Sequence, residues 1–300
     1  MSKSIWLSGT RGFVGGYVKR SLLDSQNNVT CISNSETNGD DTVFVDFSNR
    51  NSIKDAIKKF GVPDTFIHLG WGNVYEPHHE SHCTVNVQDG KNLVDELFAA
   101  GVERFILIGS SSEYGDRTGE LREDYSPTGE INNYVKGKLA LAKYGLEAAK
   151  KTDKVFLHVR LFYTFGAGQK HNSLINQLFD AYKQGELMRL SPCEHFRDYI
   201  HVSEAAEGMK RLLSADQSGI VNLGSGQVIK LKEFVQMLWD QLGADPALLK
   251  FGSHDVPSSE QSQPRSYADL NMLRKLTDWQ PSLSIKEGID KTIADFRLSD

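Results

Sequence analysis

The chain has 300 residues, 39% hydrophobic and 24% charged, with 34 Lys plus Arg against 39 Asp plus Glu for a net charge of −5. That mix excludes a disordered or fibrous chain, and the acidic balance gives no general electrostatic case for nucleic acid or an anionic membrane surface. No apolar run approaches the roughly 20 residues that cross a bilayer, and Met1 to Gly9 lacks the apolar stretch of a secretory signal. Cys31, Cys83 and Cys193 are scattered and odd in number, which argues against a disulfide framework and for a cytoplasmic protein. At roughly 150 residues per domain, the length suggests two domains.

Short apolar runs alternate with helical periodicity through the first half of the chain. Ser4–Ser8 predicts a buried strand that ends at Gly9, and Phe13, Val14, Val18, Leu22 and Leu23 predict a helix over 13–24. Strands follow at Val29–Ile32 and Val43–Val45, then a helix over 50–60, a strand at Phe66–Leu69, and a long helix near 84–100. Phe105–Ile108 and Val155–Val159 read as further strands, with a helix over about 132–150 between them. This alternation predicts an α/β fold with a mostly parallel sheet, its strands buried on both faces. After residue 165 the rhythm breaks into helices near 173–185, 203–214, 231–243 and 284–297 with isolated strands and a polar loop at His254–Gln263. The expected division is a cofactor-binding unit over 1–165 and a smaller substrate-binding unit over 166–300, with some crossover of the chain.

Gly9-Thr10-Arg11-Gly12-Phe13-Val14-Gly15 joins the first strand to the first helix. Glycines at this spacing let the backbone approach a pyrophosphate, and the helix N-terminus supplies free N–H groups. The turn therefore points to a dinucleotide. NAD sites usually carry a carboxylate about 20 residues on. Here the second strand ends Ile32-Ser33-Asn34, and Glu36 is a weak substitute. Arg11 suits a 2′-phosphate, so NADP(H) is preferred and NAD(H) stays open. Asp46 and Phe47, after the third strand, are candidates for the adenine.

Tyr134 and Lys138 share one face of a helix by their i,i+4 spacing. A phenol is a poor acid or base at neutral pH, and an ammonium beside it is expected to lower its pKa. Ser110-Ser111-Ser112-Glu113-Tyr114-Gly115 follows the fifth strand, and the carboxyl ends of parallel strands are where ligands bind.

Together these segments resemble the extended short-chain dehydrogenase/reductase family, the branch that acts on nucleotide-activated sugars. The resemblance rests on the Gly9–Gly15 turn, Asp46-Phe47, Thr84-Val85-Asn86-Val87, Ser110–Gly115, Tyr134–Lys138, Arg160-Leu161-Phe162 with Gly166-Ala167-Gly168, Arg197–Val202, Asn222–Gly226 and Arg265–Asp269. It implies a Rossmann-type doubly wound sheet. It also implies Tyr134 as proton donor or acceptor, Lys138 on the cofactor ribose, and Ser110, with Ser111 as second choice, on the substrate oxygen. Leu69, Gly70, Trp71, Asn86 and Phe162 fall at cofactor positions. Arg197 and Arg265 would clamp the diphosphate of a nucleotide sugar, while Trp71, Tyr163 (where many members have Asn) and Asn172-Ser173-Leu174 would complete the substrate side. A homodimer through the two long helices is also implied.

Within the branch, 4,6-dehydratases place Asp-Glu directly after the Ser/Thr; here Ser111-Ser112 stand there and Glu113 is one place late. The missing acidic residue after the second strand departs from the 4-epimerase pattern. The resemblance therefore lies closest to NADPH-dependent reductases of nucleotide-linked 4-keto-6-deoxyhexoses, with an NAD-dependent 4-epimerase and a silent dinucleotide-binding scaffold as alternatives. His78, His79, His82 and Cys83 lack the spacing of a zinc site, so no metal is expected. His68 reads as a satisfied buried histidine.

Overall fold

A computed structural model describes residues 2–35, 42–255 and 265–298. Glu36 and the 256–264 part of the polar loop, with Pro257, Ser258, Ser259 and Gln261, lie outside the described residues. The first strands are β1 (Ser4–Ser8), β2 (Asn28–Ser33), β3 (Val43–Phe44), β4 (Thr65–His68) and β5 (Arg104–Ser110). The helices are α1 (Phe13–Asp24), α2 (Arg50–Phe60), α3 (Val85–Ala100), α4 (Asn133–Thr152), α5 (Leu174–Gln184), α6 (Val202–Arg211), α7 (Leu231–Gln241), α8 (Asn271–Thr277) and α9 (Ile285–Arg297).

A seven-stranded sheet runs Gly219–Leu223, Val155–Leu161, β5, β4, β1, β2, β3, parallel throughout. Alternation along each strand feeds two cores. Ile5 and Leu7 pack with Val18 and Leu22 of α1 and with Ala205, Ala206 and Met209 of α6. Trp6, Phe66, Phe105 and Phe156 face the other way, against Leu93, Val94 and Leu97 of α3 and Leu141 of α4. Strands sandwiched this way need apolar residues at most positions on both faces, which explains their Val/Ile/Leu/Phe-rich runs. The architecture is a Rossmann-like α/β fold. Because β1 lies between β2 and β4, the connections diverge at its carboxyl end and open a crevice there.

The chain recrosses the expected 165/166 division more than once: Gly219–Leu223 returns to the central sheet beside Val155–Leu161, and α6 and Ala268 pack into the core beneath β1 and α1. Beyond the sheet, α5, α7 and α9 enclose a third core through Phe179, Phe234, Leu238, Trp239 and Ile289. Among the described residues, four parallel or antiparallel strand pairs lie outside the central sheet, including Ser266–Ala268 on Gly119–Leu121 and Tyr199–His201 on Tyr163–Phe165. The short α8 carries too few turns to show periodicity and is not anticipated from the sequence.

Candidate active site

The glycine turn stands at the crevice. Gly9 has φ +78°, and a Cβ there would lie 2.7 Å from the amide nitrogen of Gly70, so the turns after β1 and β4 touch backbone to backbone. A Cβ on Gly15 would run into the Gly9 carbonyl, so this glycine serves packing. Helix α1 opens at Gly12 without a side-chain cap, which leaves its first N–H groups for an anion. A cavity of about 740 Å³ lies against this turn, and Gly9, Thr10, Arg11, Gly12, Ser33, Asn34, Phe47, Leu69, Gly70, Trp71 and Asn86 line it. The bare cradle and the uncapped helix fit a dinucleotide. Phe13, Val14 and Gly15 lie behind the turn, and Phe162 is buried in the sheet core. Asp46 also stays off the cavity wall, where its Oδ1 accepts from the Ser48 amide and hydroxyl.

Arg11 reaches across to the end of β2, where its guanidinium donates to Ser33 Oγ at 3.2 Å and Ser35 Oγ at 2.6 Å. Among the described residues 33–35 that end carries hydroxyls and an amide but no carboxylate. Deeper in, His68 Nδ1 bonds Ser8 Oγ at 2.7 Å, and burial, assisted by the charge of Lys138, pushes its pKa down to about 3. It is a neutral, partnered histidine.

Ser110, Tyr134 and Lys138 converge. Ser110 caps the short 3-10 turn Ser111–Tyr114, its hydroxyl donates to Ser112 Oγ at 3.1 Å, and it stands near enough to Tyr134 to favour the phenolate. Lys138, 2% exposed, donates to the Ile108 carbonyl at 2.6 Å, with its ammonium 3.9 Å from the centre of the Trp71 ring. The electrostatics differ from the expectation that Lys138 acidifies the phenol. Burial and the Glu113 carboxylate push Tyr134 up to about 12, against the influence of the nearby Ser110 hydroxyl. Burial also pushes Lys138 down to about 7, opposed by Glu113. A half-neutralised amine is a weak acidifier, so desolvation prevails over the ammonium. Ser111 follows Ser110 on the 3-10 turn, with no side-chain bond to Tyr134 or Lys138 among those described.

Among the residues expected to meet substrate, the guanidinium of Arg197 lies 4.6 Å from the centre of the Tyr163 ring and bonds the Phe196 carbonyl. Arg265 lies 4.8 Å over Phe196. The two arginines and two rings thus form one cluster, outside the cofactor cavity wall. Asn172, Ser173 and Leu174 are engaged at the start of α5: Ser173 caps it, Asn172 accepts from Gln177, and Leu174 packs on the third core.

The family model of the NAD dependent epimerase/dehydratase family matches residues 5–224, nearly three quarters of the chain. The chain belongs to this family. It is an enzyme fold with many known relatives. UDP-glucuronic acid decarboxylase 1 of Danio rerio is 26% identical over 98% of this chain and 72% of its own. UDP-glucuronate 4-epimerase of Thermodesulfobacterium geofontis is 23% identical over 96% and 94%. Among solved structures, MoeE5 in complex with UDP-glucuronic acid and NAD superposes with a TM-score of 0.81 at 24% identity, covering 99% of this chain and 100% of that one. RMD from Pseudomonas aeruginosa complexed with NADPH gives 0.79 at 22% identity, covering 100% of each. At these identities the structures share the fold.

Several residues of this epimerase/dehydratase family member escape a sequence reading. His82 Nδ1 accepts from Trp71 Nε1 at 2.9 Å and fixes the ring beside Lys138. Lys170, 3.4 Å over the Tyr75 ring, lines the cavity mouth with Val74. Asp198, 1% exposed, accepts from the amides of Ser225, Gly226 and Ala268 and from Ser225 Oγ, tying together three segments that present Arg197 and Arg265. The Arg197-Asp198 pair shows no hint of those donors because they lie 27 to 70 residues away. Asp198→Asn turns one acceptor oxygen into a donor facing N–H groups. It is expected to cost about 2–3 kcal/mol and lower Tm on the order of 5–10 °C by scanning calorimetry. An unchanged Tm would remove the knot from the account.

Proposed function

We propose that the chain is an NADPH-dependent reductase of a nucleotide-linked 4-keto-6-deoxyhexose. The observation that carries the cofactor half is Arg11, whose guanidinium rests on Ser33 and Ser35 where a ribose 2′-substituent would lie. The Gly9–Gly12 turn would hold the pyrophosphate, and Lys138 the nicotinamide ribose. Bound there, the reduced nicotinamide supplies hydride to the C4 carbonyl carbon. Ser110 Oγ donates to the carbonyl oxygen, and Tyr134 Oη gives that oxygen its proton as charge develops on it. A phenol held near 12 arrives protonated, as reduction requires. Arg197 and Arg265 would take the diphosphate.

Dehydration is disfavoured because Ser111 and Ser112 replace the acidic pair and the nearby Glu113 is turned inward, fully buried. A second reading is an NAD-dependent 4-epimerase, favoured by the names of relatives and by the NAD in the MoeE5 structure. Residues 1–165 would then still serve the cofactor and 166–300 the sugar nucleotide, in a cytoplasmic homodimer paired through α3 and α4. An NADPH-oxidation screen over 4-keto-6-deoxy sugars carried on dTDP, GDP, CDP and UDP tests the proposal, with product configuration read by NMR. Net oxidation with one of them is expected. Two-way interconversion of a nucleotide sugar without net oxidation would select the epimerase, and neither activity would leave the silent scaffold.

A further inference from the structure

Beneath Ser110 lies a charge cluster that the reaction as described does not use. Glu113 is 0% exposed. Its Oε1 accepts from the Ser110 amide at 2.9 Å, and its Oε2 from His158 Nε2 at 2.6 Å and Arg160 Nε at 3.1 Å. Reciprocally, the Ser110 hydroxyl accepts from the Ser112 amide at 3.1 Å, so carboxylate and serine form a capping box. Such boxes ordinarily sit at solvent-exposed helix starts; this one faces the core. Space is reserved for it, since a Cβ on Gly109 would run into both Glu113 Oε1 and His158 Cε1. Arg160 is itself braced by the Glu123 carbonyl and by the Tyr114 ring, 4.3 Å away.

A buried carboxylate with cationic partners is a poor stabiliser compared with apolar packing, which directs attention to what its charge acts on. His158 and Arg160 face it from the neighbouring strand, and α4 packs against its 3-10 turn, where Lys138 donates to the Ile108 carbonyl two residues before the Ser110 amide that Glu113 holds, with Tyr134 one helical turn away. Glu123 lies beyond Arg160. We propose that Glu113 is a positioning residue, which sets the Ser110 main chain and supplies the internal counter-charge for the Lys138 ammonium, with His158 and Arg160 as its clamp. Burial alone would raise its carboxyl, but His158, Arg160 and the Ser110 amide hold it below the ordinary range and therefore ionised. Its charge in turn favours the ammonium of Lys138 and the phenol of Tyr134. This inference deepens the proton-donor reading and rests on it for its catalytic meaning.

The test is direct titration of Lys138 by NMR of ¹³C-lysine-labelled full-length protein, with the signal assigned by its loss in Lys138→Met. Glu113→Gln is expected to lower the Lys138 midpoint by at least about one pH unit, while Glu113→Asp, which keeps the charge, restores most of the wild-type value. An unmoved midpoint in a folded Glu113→Gln protein overturns the proposal. Should that variant fail to fold, Glu113→Gln/Arg160→Met is read against Arg160→Met alone, so that the two differ only in the carboxylate; failure of both Glu113 variants to fold would mark Glu113 as a core brace and also overturn the proposal. The readout needs no substrate. Turnover retained by Tyr134→Phe would sink the proton-donor reading without touching this midpoint.

Discussion

Tyr134→Phe is expected to lower kcat for keto-sugar reduction by about 10²–10⁴-fold, the range of a general acid, or about 3–5 kcal/mol of barrier. The reason is local. The ring of Tyr134 packs edge-on against Trp71 and His82, so phenylalanine keeps the packing and removes only the hydroxyl. Ser110 would still polarise the carbonyl, but the developing alkoxide would have no proton donor in contact. NADPH affinity, measured by fluorescence titration, should be nearly unchanged, because the glycine turn and Arg11 line the cavity without Tyr134 among their neighbours. A fall in cofactor affinity of the same size as the fall in kcat would show that the substitution had disturbed the pocket rather than the proton transfer.

The second large effect concerns cofactor choice. Arg11 is exposed, and its described side-chain bonds run to Ser33 and Ser35. Loss of a charge-assisted contact of about 1.5–3 kcal/mol predicts that Arg11→Ala raises the KM for NADPH by about 10–150-fold. The KM for NADH should hardly move, since the ribose 2′-hydroxyl carries no charge for the guanidinium to meet. Steady-state kinetics with both cofactors decides the matter. An equal rise for both would place Arg11 on the shared pyrophosphate and weaken the NADP reading.

The parts of this molecule that obey local rules are legible in its sequence. Strands such as Phe105–Ile108 declare themselves because both faces are buried, and α1 starts where the glycine turn says it must. That Tyr134 and Lys138 share a helix face follows from their spacing, while their expected role comes from the family resemblance. What escapes depends on contacts between distant segments. Gly219–Leu223 resembles an isolated strand until Val155–Leu161 is seen beside it. Glu113 looks like a dehydratase carboxylate displaced by one position, until His158 and Arg160 turn it inward. The direction of the Tyr134 shift is hidden for the same reason, since spacing places an ammonium nearby but does not report how dry its surroundings are.

The late arrival of Gly219–Leu223 has a consequence for biosynthesis. Until that segment leaves the ribosome, Val155–Leu161 is a bare sheet margin with unpaired amides and apolar side chains on both sides, a template for pairing with other nascent chains. A fragment ending at residue 165 would carry that open margin permanently. Residues 1–165 are thus sealed by a strand that comes from well beyond residue 165, so neither part of the chain can be excised without exposing the other.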